Sequence, residues 1–147
     1  MPSAKLETVA TLQRHELRFH KISKDGSGKC DAYETKNPQH SVIGVVYDIS
    51  ESEKQILDRK EGLGDGYEQK EVTLTTVSGE NIRAITYYAT NIGLELKPYH
   101  WYKNHVLTGA EENGLPAKYI EKIMNIKSVT DPKPERHESE MAIYTNK

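Results

Sequence analysis

Apolar and polar residues alternate along much of this chain, and the period of the alternation changes from segment to segment. From Lys5 to Leu12 the pattern is loose, with Leu6, Ala10 and Leu12 on one face; from Glu16 to Lys21 it is cleaner, with Leu17 and Phe19 inward. A period of two predicts half-buried strands in both stretches. Ser23-Lys24-Asp25-Gly26-Ser27-Gly28-Lys29 reads as a polar, glycine-bearing loop. Ser41 to Ile49 is almost continuously apolar, which predicts a strand buried on both faces. Ser50, with Glu53 three residues on, makes a capping box for a helix that turns Ile56 and Leu57 inward and stops at Gly62.

Period two then returns. Lys70, Val72, Leu74 and Thr76 share one strand face, Ser78-Gly79-Glu80-Asn81 forms a hairpin turn, and Ile82, Ala84, Thr86 and Tyr88 share a face of the returning strand. Arg83, Ile85 and Tyr87 fall on its other face. Pro98 opens a second helix, with Tyr99, Tyr102, Val106 and Ala110 on one stripe and Gly114 as its stop. Pro116 opens a third, with Tyr119, Ile120, Ile123 and Met124 inward. From Ser128 onward the chain is polar, evenly charged and holds Pro132 and Pro134, so a mobile tail is expected. The division is a domain over residues 1–127 and a polar C-terminal tail over 128–147. Strands, a helix, a hairpin and two more helices in that order argue against a doubly wound parallel sheet. The pattern predicts an α+β fold, a mixed and partly closed β-sheet with three helices packed at one side.

The 147 residues suit one domain with one core. Charged residues make up 29% and apolar ones 35%, so a soluble chain is expected. Net charge is −2 with lysines and arginines scattered among acids, which leaves no footprint for nucleic acid. No apolar run approaches the roughly 20 residues of a membrane span, and Met1-Pro2-Ser3-Ala4-Lys5 has no apolar core of a signal peptide. The single cysteine, Cys30, excludes an internal disulfide and fits a cytoplasmic location. Nine tyrosines against one Phe and one Trp hint at a polar cavity, or at half-buried strand faces.

Most motif candidates fail on spacing. Gly26-Ser27-Gly28-Lys29 is no phosphate loop, because Cys30 stands where a Ser or Thr would hold magnesium. The six histidines form no metal-ligating pair, and His100 and His105 do not share a helical face, so neither metal nor cofactor is expected. Cys30 beside Lys29 is read as packing rather than as a nucleophile. No serine sits in a nucleophile elbow.

The informative stretch is Leu57-Asp58-Arg59-Lys60-Glu61-Gly62-Leu63-Gly64-Asp65-Gly66-Tyr67. It sets a carboxylate at a helix end, then a glycine-rich turn, then a tyrosine entering a strand. Taken alone it is a surface glutamate before a cap. A helix C-terminus raises the pKa of a carboxyl there, which suits proton transfer. Together with Gly44-Val45-Val46-Tyr47 before it, Thr86-Tyr87 after it, Tyr102-Lys103, and Gly109-Ala110-Glu111-Glu112-Asn113-Gly114-Leu115-Pro116 followed by Tyr119-Ile120, this stretch resembles the γ-glutamylcyclotransferase family over roughly Pro2 to Ile126.

The resemblance implies that Glu61 is the acid/base residue and that Tyr67, Tyr87 and Tyr102 line a γ-glutamyl pocket. Core packing is the ordinary reading of each tyrosine, most of all Tyr102 on its apolar stripe. The implied partner is a small γ-glutamyl amine or amino acid, cyclised to 5-oxoproline without a cofactor. The family pattern also opens on a strand and a Tyr-Gly-Ser-Asn-type loop that holds the substrate carboxylate. No such run stands in this sequence, and Pro2-Ser3-Ala4 aligns past it. That departure implies weak or no activity for these 147 residues. It keeps open a second reading, a non-catalytic small-molecule-binding or regulatory relative with the same fold.

Overall fold

The computed structural model describes residues 5–61 and 63–145. The expected cap at Gly62 and the side-chain direction of Leu6 fall outside the described residues. Six strands and four helices follow in the order β1 (Lys5–Gln13), β2 (His15–Ile22), β3 (Gly28–Glu34), β4 (Ser41–Asp48), α1 (Glu51–Glu61), β5 (Tyr67–Thr76), β6 (Asn81–Ala89), α2 (His100–Glu112), α3 (Ala117–Met124) and α4 (Pro134–Thr145).

The larger sheet has the order β4-β1-β5-β6, and β2 and β3 form a separate hairpin. All four ladders between these strands are antiparallel. The hairpin lies against β4 and β6, the two edges of the larger sheet, and so curls the whole into a partly closed half-barrel. The class is α+β, as the pattern predicts. Strand β3 is the element the alternation did not reveal. Its residues, Gly-Lys-Cys-Asp-Ala-Tyr-Glu, mix polar and apolar types without a clean period.

Register explains the two faces of the sheet. Val9 on β1 and Ile43 and Val45 on β4 turn outward and pack with Val106, Leu107 and Ile120 against the buried cluster of Ala110, Leu115, Tyr119 and Ile123. The opposite face carries Ala10 and Leu12, paired with Gly44 and Val42, and Val72 paired with Ala84. It lines a cavity of about 800 Å³. Ser41 to Ile49 is therefore not buried on both faces. β4 is an edge strand with one face on the helices and one on the cavity, and Tyr47 is exposed.

Three helical expectations change. Pro98 precedes α2, whose N-cap is Tyr99, so the helix starts later than a first-turn proline would place it. Ile56 and Met124 are exposed rather than inward. The segment after Ser128 carries a fourth helix. Its anchor is Asp131, buried and unexposed, which accepts from Trp101 Nε1 at 2.8 Å and from Arg136 Nε and Nη2 at 2.5 and 2.6 Å. Val129 bonds back to Pro98 and His100 through the main chain. A polar composition hides this attachment because one buried carboxylate and its donors replace an apolar stripe. No helix among the described residues is long and apolar enough to cross a membrane.

Candidate functional site

Helix α1 starts as its sequence predicts, with Ser50 Oγ accepting from the Glu53 N–H at 3.3 Å. Its packing is unusual, for none of its residues is buried. Polar contacts take the place of an apolar face. Asp58 accepts from Lys54 and from the Tyr87 hydroxyl, and Lys54 Nζ also reaches Gln69 Oε1 at 2.7 Å. At the helix end the Leu63 N–H donates to the Asp58 carbonyl at 2.8 Å, and the Gly64 N–H donates to the Tyr67 carbonyl at 2.8 Å. Gly64 and Gly66 turn the chain through φ of 84° and 100°, a region that L side chains rarely adopt. A β-carbon on Gly66 would also stand 2.9 Å from Lys21 Cε. The turn delivers Tyr67 to the start of β5, six positions after Glu61.

Glu61 is exposed as a residue, yet enough protein surrounds its carboxyl for burial to raise its pKa above the usual 4.5. Burial is the cause here rather than the helix end. Its charge acts on Cys30, Tyr67 and Tyr87, so the carboxylate shares one neighbourhood with β3, β5 and β6. Tyr102 joins from α2. Its hydroxyl accepts from the Cys30 N–H at 3.1 Å and donates to Cys30 Sγ at 3.0 Å. The Tyr67 hydroxyl donates to the Cys30 carbonyl at 3.0 Å. Burial pushes the phenols of Tyr67, Tyr87 and Tyr102 well above the ordinary range, so all three stay protonated near neutrality. Burial likewise raises the Cys30 thiol. A lysine ammonium lies over each ring: Lys21 at 4.9 Å from the Tyr67 centroid, Lys54 at 5.4 Å from Tyr87, and Lys29 at 4.3 Å from Tyr102.

Of the four residues singled out from sequence, Glu61 acts electrostatically on Tyr67 and Tyr87, and Tyr102 meets Tyr67 through Cys30. They do not all line the main cavity. Tyr87 and Leu57 do, with Lys54 and Arg83, whereas Glu61, Tyr67 and Tyr102 are not among its lining residues. Sequence reasoning missed two residues that organise the group. Cys30 joins Tyr67 to Tyr102, and no local signal marks it because its partners come from distant strand and helix. Asp58 holds Tyr87. Its position three before Glu61 on one helix face was the available signal. Among the described residues no three of His, Cys, Asp or Glu gather as a metal site would need.

Comparison with known proteins agrees with this architecture. The AIG2-like family profile matches residues 41–123. A gamma-glutamylcyclotransferase of Bos taurus is 36% identical over 130 residues, covering 85% of this chain and 68% of that protein. The chain belongs to the AIG2-like, γ-glutamylcyclotransferase-like family. This γ-glutamylcyclotransferase-like fold is also that of an uncharacterized Homo sapiens protein, with a TM-score of 0.82 and 33% identity over 94% of this chain and 85% of the other. A solved gamma-glutamyl cyclotransferase matches with a TM-score of 0.80 and 30% identity over 94% of this chain and 87% of its own.

Proposed function

We propose that this chain is the Glu61-bearing catalytic body of an enzyme with a γ-glutamylcyclotransferase-type reaction on a small γ-glutamyl amine or amino acid. The observation that carries the reading is the Glu61 carboxyl at the end of α1, exposed as a residue yet raised in pKa by desolvation, whose charge acts on Tyr67 and Tyr87. A carboxyl whose pKa is raised is a better proton acceptor than an ordinary glutamate once ionised. The Glu61 carboxylate removes a proton from the substrate α-ammonium. The freed amine attacks the γ-carbonyl carbon and closes a five-membered ring. The γ-amide C–N bond breaks as the proton held by Glu61 passes to the departing nitrogen, and the second proton of the attacking nitrogen goes, through Glu61, to the released amine, which leaves as an ammonium. The products are 5-oxoproline and a free amine, with no redox change and no covalent enzyme intermediate.

The substrate supplies its own nucleophile, so holding it folded supplies much of the rate. Effective molarities of well-oriented intramolecular reactions are worth roughly 7–11 kcal/mol. Tyr67, Tyr87 and Tyr102 line the γ-glutamyl group in this reading. The test incubates the purified protein with a panel of γ-glutamyl amino acids and γ-glutamyl amines and detects 5-oxoproline by mass spectrometry. Release from at least one member, weak for these 147 residues and lost in Glu61→Gln, is expected; release that Glu61→Gln leaves unchanged, or none even when a Tyr-Gly-Ser-Asn-type loop is supplied ahead of Lys5, refutes the proposal. The second reading, a small-molecule-binding relative without catalysis, is favoured by one observation: the main cavity is walled by Tyr87 but not by Glu61.

A further inference from the structure

Main-chain bonding leaves two strand edges open onto one cavity. At the end of the β1–β4 ladder the Arg14 N–H donates to the His40 carbonyl at 2.8 Å, and Leu12 with Val42 and Ala10 with Gly44 continue that register. Bonded and unbonded pairs alternate in an antiparallel ladder, so Ile43, Val45 and Tyr47 turn their N–H and C=O groups away from β1. On β6 the Thr76 N–H donates to the Glu80 carbonyl at 2.8 Å and the Thr90 N–H to the Gly66 carbonyl at 3.0 Å. The same alternation turns Arg83, Ile85, Tyr87 and Ala89 away from β5. Each open edge is closed at one end. The Ala89 N–H donates to Asp31 Oδ1 at 2.8 Å, and the Tyr119 hydroxyl bonds the main chain of Ile43. Val45, Tyr47, Arg83, Ile85 and Tyr87 remain, and among the described residues their outward main-chain groups meet no partner strand. All five line the cavity of about 800 Å³.

The floor between these edges is apolar and partly built from small side chains, Ala10, Gly44 and Ala84, with Leu12 and Val72 beside them. Main-chain donors and acceptors on both walls, over an apolar floor, match one kind of ligand. A peptide strand carries its own N–H and C=O groups alternately to left and right while every second side chain points down. A compact small molecule has no such repeat. The charged groups at the mouth are already paired, Arg83 with Glu71 and Lys54 with Asp58, so main chain and shape select the occupant rather than charge. Tyr47 and Ile85, both exposed, stand one on each wall, and an open edge with apolar side chains is a template for a further strand. We propose that the slot between β4 and β6 is a docking site for a second polypeptide, whose extended segment of about five to seven residues, apolar at alternate positions, enters as a strand and pairs with both edges. The sheet runs β4 and β6 in opposite directions, so the entering strand is antiparallel to one and parallel to the other. The inference stands apart from the cyclotransferase reading, since it uses neither Glu61 nor turnover.

The test uses the full chain and a set of acetylated, amidated heptapeptides, with a lysine at each end and Val, Ile or Phe alternating with Thr between. Amide exchange is followed by NMR. At least one peptide should slow exchange at Val45, Tyr47, Arg83, Ile85 and Tyr87 by about tenfold or more. N-methyl groups on alternate amides of that peptide silence one of its edges, and methyl groups on the other amides silence the second edge. Each pattern should weaken binding by about tenfold or more, because both edges pair. Ile85→Pro removes an outward donor without touching the β5 ladder and should weaken binding to a similar degree. If that variant does not fold, the methylated peptides carry the test on the unaltered protein. Failure of every peptide to slow these amides overturns the proposal. So does a loss with only one methylation pattern, which is the result of addition to a single edge. Slow exchange at these amides before any peptide is added also overturns it. The edges are then already paired, and with a second copy of the chain if protection rises with protein concentration.

Discussion

Replacing Glu61 with glutamine removes a proton acceptor while leaving size and polarity in place. The residue ends α1 on the exposed side, where substitutions ordinarily change stability by no more than about 0.5 kcal/mol. The fold should therefore survive, and any loss of rate reads on chemistry. A positioned general acid–base group contributes about 10²–10⁴-fold, which at 1.36 kcal/mol per decade is about 2.7–5.4 kcal/mol of barrier. In the proposed reaction Glu61 both takes the ammonium proton and returns it, so the loss should be at least about 100-fold in kcat. KM should change far less, since the carboxylate acts chiefly in the transition state. The assay is initial-rate release of 5-oxoproline from the best γ-glutamyl substrate, with circular dichroism to certify the fold. A glutamine variant at near-normal rate would remove Glu61 from the mechanism.

The burial of the Glu61 carboxyl adds two readouts of fixed sign. As a base it must be ionised, so the acid limb of kcat/KM should fall at a pH above 4.5. In stability the neutral form is favoured by the fold. Below its unfolded pKa the carboxyl is neutral in both states and the benefit is complete. As pH rises through the higher folded pKa the partly desolvated group ionises and that benefit is lost. Glutamine never ionises. The melting temperature of Glu61→Gln relative to wild type should accordingly be higher at pH 7 than at pH 4. A difference of opposite sign would show that the carboxyl is favoured in its charged form.

Two further outcomes follow from the contacts around the site and the C-terminal helix. Tyr102→Phe deletes the acceptor of the Cys30 N–H, and leaving a buried donor unpaired costs about 1–3 kcal/mol, to be read as a lower urea midpoint at unchanged slope. Asp131→Ala strips Trp101 Nε1 and the Arg136 guanidinium of their shared acceptor; amide exchange across α4 should accelerate while the strands keep their protection.

What was legible in the sequence was what repeats with a period. Val72 pairs with Ala84 and Leu74 with Ile82 on one face, as alternation requires, and Tyr87 falls on the other with Gln69 opposite it. The α3 stripe through Tyr119 and Ile123 is buried where its spacing puts it. Several of the failures share one cause, which is that polar contacts carry the structure there. Asp131 is buried inside a segment whose composition suits a tail, because Trp101 and Arg136 satisfy both its oxygens. Cys30 is an isolated thiol in the sequence and a junction in the fold, reached by Tyr67 from 37 positions away and by Tyr102 from 72. Helix α1 buries no residue and is held by Asp58, Lys54, Tyr87 and Gln69. Hydrophobic periodicity places elements to within a strand face or a helix stripe. The aim of a carboxylate or phenol depends on single hydrogen bonds between residues far apart in the chain, and those bonds leave no period to read. Glu61 shows the consequence: its motif marks the residue, but the bonds that hold Tyr87 through Asp58, and Tyr67 and Tyr102 through Cys30, join partners dozens of positions apart.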